Sequence, residues 1–173
     1  MLALQSQRHG MLTDVMTSSV VVGTLEDAHI ESRRIELGLM SYGVSVIRRK
    51  IETVPWNPMI TETVPGSSNY FESHIAIRVK KHKGKLPKDT KVALATACRE
   101  LDLHLSANQF KNDDVAVTYM ATLREFGTTY EAFVERTNAA IDSLSSDKYN
   151  VIKSVTEYAV WDSNVDRDNA WMA

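Results

Sequence analysis

Between Asn69 and Lys80 the chain reads Asn-Tyr-Phe-Glu-Ser-His-Ile-Ala-Ile-Arg-Val-Lys, and odd and even positions differ in character. Phe71, Ser73, Ile75, Ile77 and Val79 are mostly apolar, while Glu72, His74, Arg78 and Lys80 alternate with them. Successive side chains of a strand point to opposite sides, so the pattern predicts a strand with one core face and one face for water or a ligand. Three later stretches repeat it. In Leu103 to Phe110, Leu103 and Leu105 oppose His104, Ser106 and Asn108. In Val115 to Phe126, Val117, Tyr119, Ala121 and Leu123 oppose Thr118, Thr122 and Arg124. Val151 to Trp161 sets Lys153 and Glu157 against Ile152, Tyr158 and Val160.

Between these strands the period changes to that of a helix. From about Lys88 to Asp102, Val92, Ala95, Cys98 and Leu101 lie close to one face. Thr128 to Glu131 reads as a capping box, followed by a stripe of Phe133, Val134, Ala140, Ile141 and Leu144. The order strand, helix, strand, strand, helix, strand is the ferredoxin-like one. Upstream, Thr13 to Gly23 is rich in Val, Thr and Ser and predicts a strand, whereas residues 1 to 12 carry no clear period. Thr24 and Asp27 form a capping box with Asp in place of Glu, and the spacing predicts a helix from about 25 to 42, closed by a left-handed cap at Gly43. Val44 to Val54 alternates again, with Ile47 and Ile51 opposing Arg48, Lys50 and Glu52.

The expected architecture is therefore α+β: a ferredoxin-like βαββαβ unit preceded by a βαβ half-unit, in a mostly antiparallel sheet with its helices on one face. Pro55, Pro58 and Pro65, with Gly66, Ser67 and Ser68, remove backbone donors and favour turns. Residues 55–68 thus read as a linker between a strand-helix-strand unit at 1–54 and the larger unit with its polar tail at 69–173.

At 173 residues the chain is long enough to bury a core without disulfides, and 43% apolar with 24% charged residues is an ordinary globular balance. Cys98, alone, forms no internal disulfide, which suits a reducing compartment and a cytoplasmic protein. No apolar run approaches the ~20 residues that span a bilayer, so no membrane partner is expected. A formal net charge of -2 argues against a protein that coats nucleic acid by charge alone. Lys80 to Lys85 lacks the glycine spacing of a phosphate-binding loop and reads as a solvated loop.

Candidate chemistry follows from the polar face. A sheet with the first and third strands central gathers Glu72, His74 and Arg78 with Thr122 and Arg124, flanked by Glu157 on one side and by His104, Ser106 and Asn108 on the other. Lys50 and Glu52 join if the earlier strand extends the sheet. Adjacent strands lie about 4.8 Å apart, which lets His74 meet Glu157 on one side and Thr122 or Arg124 on the other. Ser106 stands two strands from His74, too far for a nucleophile and its base. Glu72, His74 and Glu157 are the candidate acid-base groups, with a divalent metal as a weaker use of the same three residues. Lys50, Glu52, Arg78, His104, Ser106, Asn108, Thr122 and Arg124 are the candidate ligand-binding groups. No cofactor is indicated by any motif. The Asp162 to Asp168 segment starts like a calcium loop but has Arg167 where the turn glycine belongs.

Tyr-Phe-Glu-Ser-His (70 to 74), His-Leu-Ser-Ala-Asn (104 to 108), Thr-Leu-Arg (122 to 124) and Glu-Tyr-Ala-Val-Trp-Asp-Ser-Asn (157 to 164) give the chain a resemblance to a family of small uncharacterised bacterial and phage α+β proteins. The resemblance implies one fold for these segments and carries no assigned activity. Three functions are open at this point: binding of a polar or anionic small molecule on the open face, a hydrolase or transferase acting there on a phosphate-containing substrate, and an oligomeric protein-interaction module.

Overall fold

The computed structural model describes residues 4–6, 10–12, 16–57, 68–145 and 149–168. In chain order the elements are β1 (Leu4–Ser6), β2 (Gly10–Leu12), α1 (Leu25–Ser41), β3 (Lys50–Thr53), β4 (Tyr70–Lys80), α2 (Lys88–Glu100), β5 (His104–Asn112), β6 (Ala116–Glu125), α3 (Tyr130–Leu144) and β7 (Tyr149–Asp162), with a short 3-10 turn at Val165–Asp168. Among the described residues the strands make one seven-stranded sheet, β2-β1-β5-β6-β4-β7-β3, with antiparallel neighbours throughout. The protein is thus α+β. β4 and β6 pair at the centre, β7 and β5 flank them, and α2 and α3 connect strands that are not neighbours.

The alternation along β4 decides which face is the core. Phe71, Ile75, Ile77 and Val79 are buried together with Leu105, Val117, Tyr119, Ala121 and Leu123, and Leu94 and Cys98 of α2 and Phe133, Ala140 and Leu144 of α3 close over them. Phe71 stacks on Phe133 at 5.5 Å and meets Tyr158 at 4.8 Å. Truncating such a buried aromatic to Ala costs about 3–5 kcal/mol. Ser73, the polar member of the set, is buried but satisfied by the Ser154 and Thr156 hydroxyls at 3.1 and 3.3 Å. Cys98 is buried here, and desolvation pushes its thiol up to about 12, so it is an inert core residue.

α1 begins at the expected capping box: Thr24 Oγ1 accepts from the Asp27 amide at 3.2 Å, and Asp27 accepts from the Thr24 amide at 2.8 Å. It ends in a Schellman turn, with Gly43 at φ 76 and Val44 donating to the Leu39 carbonyl at 3.1 Å. Trp161 stands edge-on to His29 at 4.8 Å, and Arg49 reaches Ser32 and Glu36 at 3.3 Å. No described residue of α1 is buried.

Several boundaries differ from the sequence reading. The strand expected at Thr13 to Gly23 is absent from 16 to 23, where the chain joins no ladder and Val20 and Val22 stand almost wholly exposed; residues 13–15 lie outside the described residues. β-propensity needs a neighbouring strand to act on, and here the β1–β2 hairpin, not this segment, occupies the edge beside β5. Residues 44–49 likewise stay outside the ladder, and only Lys50–Thr53 pairs, on the outer edge of β7. Among the described residues the strands before and after α1 do not pair with one another: β1 and β2 lie at one end of the sheet and β3 at the other. Helix α3 is capped by Thr129, whose hydroxyl accepts from Ala132 at 3.2 Å, one residue later than the expected Thr128. The Lys80 to Lys85 segment is a closed turn, with His82 and Lys85 bridged and Lys83 and Gly84 at φ 50 and 72. Most of the expected linker, residues 58–67, lies outside the described residues. No described helix is long and apolar enough to cross a membrane.

Candidate functional site

The face of β4 opposite the core carries Tyr70, Glu72, His74, Ala76 and Arg78. Cross-strand register fixes their neighbours. Glu72 stands between Arg124 of β6 and Glu157 of β7, His74 between Thr122 and Val155, and Arg78 between Thr118 and Asn150. On the far side of Thr122 the next strand presents His104, and beyond Glu157 and Ala159 the edge strand presents Glu52.

Glu72 is the centre of a charge network. Its side chain is 4% exposed, and its Oε1 accepts from Arg124 Nη2 at 2.6 Å and Nε at 3.1 Å, a forked contact by a guanidinium that is itself 4% exposed. Its other oxygen pairs with Lys50, which also pairs with Glu52. His74 Nε2 lies 3.5 Å from Glu72 and 3.8 Å from Glu157, while its Nδ1 meets Thr122 Oγ1 at 3.1 Å. Burial by itself would raise the Glu72 carboxyl, but Lys50, His74 and Arg124 outweigh it and hold the group down at about 2. Lys50 is also desolvated, yet the carboxylates of Glu72 and Glu52 raise its ammonium above the ordinary lysine range.

Glu157 behaves oppositely. Desolvation, the charge of Glu52 and a hydrogen bond with that residue push it up to about 7. Glu157 accordingly keeps its proton up to near neutrality, because a carboxyl beside a second carboxylate resists ionising.

A second layer lies toward the end of the sheet, and it was not among the residues singled out from sequence. Tyr70, fully buried, donates its hydroxyl to Asp162 Oδ2 at 2.7 Å, and Arg48 donates Nε to Asp162 Oδ1 at 2.9 Å and Nη2 to the Tyr70 hydroxyl at 3.1 Å. The Arg124 guanidinium lies 4.3 Å from the Tyr70 ring centroid, with Phe126 on the ring at 5.1 Å. Desolvation would raise Asp162, but hydrogen bonds from Arg48, the Asn164 amide and Tyr70 hold it at about 2. Asp162 is therefore held as an acceptor by Arg48, Tyr70 and the Asn164 amide. The available sequence signal was parity, since Tyr70 shares the side of Glu72 along β4.

Of the residues singled out from sequence, Lys50, Glu52, Glu72, His74, Thr122, Arg124 and Glu157 come together. Arg78 does not join them: six residues along a strand is roughly 20 Å, and its guanidinium pairs with Asp113 at 2.9 Å. His104 sits one strand beyond Thr122, and Ser106 donates to the Met120 carbonyl at 3.4 Å. Asn108 is placed only by its backbone, beside Leu4 of β1. Glu72, His74 and Glu157 do not form a ligand set for a divalent ion, because both Glu72 oxygens are engaged by Lys50 and Arg124; among the described residues no group of three or more His, Cys, Asp and Glu is arranged to hold one. No family model, curated protein or solved structure matches the chain.

Proposed function

We propose that the protein binds a small polar ligand at the rim formed by Glu52, His74 and Glu157, and that the ligand presents hydrogen-bond donors or a cationic amine. The observation that carries this reading is the division of exposure across one network. Glu52, His74 and Glu157 are each about one-third exposed, at 34%, 33% and 34%, while Lys50 and Arg124 lie behind them at 18% and 4%. Both shielded cations are matched by Glu72. What a ligand meets is therefore two acceptor carboxylates and an imidazole, a set that suits donors better than an anion.

Calorimetric titration with primary amines, amino sugars and inorganic phosphate at pH 8 tests the reading. An amine or amino sugar is expected to bind, with Glu157→Gln weakening it by at least tenfold. Because Glu157 is neutral below about 7, amine affinity should fall between pH 8 and pH 6. Binding of phosphate alone, or affinity indifferent to Glu157→Gln, overturns it.

A second reading is favoured by the divergence of the two carboxyls, Glu72 held at about 2 and Glu157 raised to about 7 with His74 between them. Groups pushed apart in this way suit acid-base work near neutral pH. Turnover of a bound ligand with a pH dependence centred near 7, abolished by Glu157→Gln, would establish it. Binding without turnover leaves the first reading standing.

A further inference from the structure

We infer that the opposite end of the same open face is a docking strip for the phosphate backbone of single-stranded nucleic acid. Six lysines, Lys80, Lys81, Lys83, Lys85, Lys88 and Lys91, fall within twelve residues of a chain whose net charge is -2, so the charge is sharply uneven. The fold sorts these lysines. Alternation along β4 puts Arg78 and Lys80 on the face of Glu72 and His74, away from the helices. The closed turn extends that row: His82 and Lys85 are bridge partners and so share a side, while the following Leu86 packs against the core on the other. β7 adds Lys153, in register with Ala76 of the same face.

The strip is rigid in a way a lysine loop ordinarily is not. Lys81 donates its amide to the Val115 carbonyl at 2.7 Å and its ammonium to the Asp113 carbonyl at 2.5 Å, and His82 and Lys85 exchange backbone bonds at 2.8 and 3.0 Å. Lys83 is held in the left-handed region, where a turn of this kind ordinarily takes Asn or Gly. Alternate residues of a strand recur about 6.6 Å apart, a spacing comparable with that of successive phosphates in an extended polynucleotide. The charges thus form one line, which suits a threaded backbone, and a planar lipid surface would use the lysines on both sides of the turn equally. Asn150, exposed and in register with Arg78, supplies a neutral hydrogen-bonding group beside the charges. Such groups favour directed contacts with phosphate and sugar oxygens.

The test is fluorescence anisotropy of a labelled 15-nucleotide oligo-dT and oligo-U at 50 mM salt, with vesicles of phosphatidylserine and phosphatidylcholine as the comparison. The triple variant Lys80→Gln, Lys85→Gln, Lys153→Gln is expected to weaken oligonucleotide binding at least tenfold with an unchanged circular dichroism spectrum. Lys91→Gln, which removes one charge from the helical side of the cluster, should change affinity less than twofold, and Lys80→Gln alone should change it more. The slope of log K against log salt should be about −0.7 for each phosphate contacted, and about two units shallower in the triple variant. Absence of oligonucleotide binding, an equal loss in Lys91→Gln, or equal dependence of vesicle binding on the three lysines overturns the proposal.

Discussion

Glu72 shows how one residue can set the electrostatics of a whole face. It is almost fully buried, so its charge is tolerable only because Arg124 and Lys50 reach it from two different strands. Removing it takes the forked carboxylate contact from Arg124 and leaves Lys50 with Glu52, both beside a buried tyrosine ring. Glu72→Gln is therefore expected to destabilise the fold by roughly 3–5 kcal/mol, read as a lower urea midpoint, while Glu72→Met combined with Arg124→Leu should cost much less. The pH dependences of Glu72 and Glu157 have opposite signs. Glu72 is held below its ordinary range, so its contribution is present above about 4.5 and is lost as pH falls toward 2. Glu157 is raised, so the folded state binds the extra proton between about 4.5 and 7, and stability falls as pH rises through that window. Glu157→Gln should then raise stability at pH 8, by roughly 1–2 kcal/mol after allowance for solvent screening of a one-third exposed group, and have little effect at pH 4.5. An equal effect at both pH values would mean that the proton is not held there.

At the scale of elements, legibility followed locality. The α1 cap at Thr24 and Asp27 and the Gly43 stop involve residues three to five apart, and both were readable directly. The pattern puts the end of α2 at Asp102, two residues beyond Glu100, because the left-handed position is taken by Asp102 itself at φ 57 and no glycine marks it. Leu103 still donates to the Cys98 carbonyl at 2.8 Å, which closes the helix as a glycine would have done. Asp102→Gly should leave the fold intact and shift the thermal midpoint little, because relief of a left-handed non-glycine residue, about 1–2 kcal/mol, is offset by the entropy of Gly in the unfolded chain, about 0.5–1 kcal/mol, and by loss of the exposed ion pair with Arg136. The valines at 20 to 22 misled for the converse reason: a strand is defined by its partner, and nothing in the segment itself records that no neighbour is there. Helix α1 carries its own signals but buries no described residue, so its formation contributes little to the rest of the fold. Thr24→Ala, which costs about 1 kcal/mol of helix stability, should accelerate amide exchange across α1 while leaving the exchange of β4 unchanged.

For the whole molecule, the site depends on chain segments far apart in sequence, which is why half of it was out of reach of a pattern reading. Parity alone could group Glu72, His74, Thr122 and Arg124, because the order of the central strands follows from their connections. It gave no reason to bring Arg48 to Asp162, 114 residues away, or to put Tyr70 between Arg124 and that pair. These contacts come from β3 joining the outer edge of β7, and they tie the N-terminal segment to the central strands on the far side of the proline-rich stretch. Lys50 and Arg48 then act as counter-charges for Glu72 and Asp162, groups the larger unit buries but neutralises only in part. A chain beginning at residue 69 should accordingly unfold at a markedly lower urea concentration than the full protein. Equal midpoints for the two chains would mean that residues 1–54 are an appendage and that the proline-rich segment is a true domain boundary.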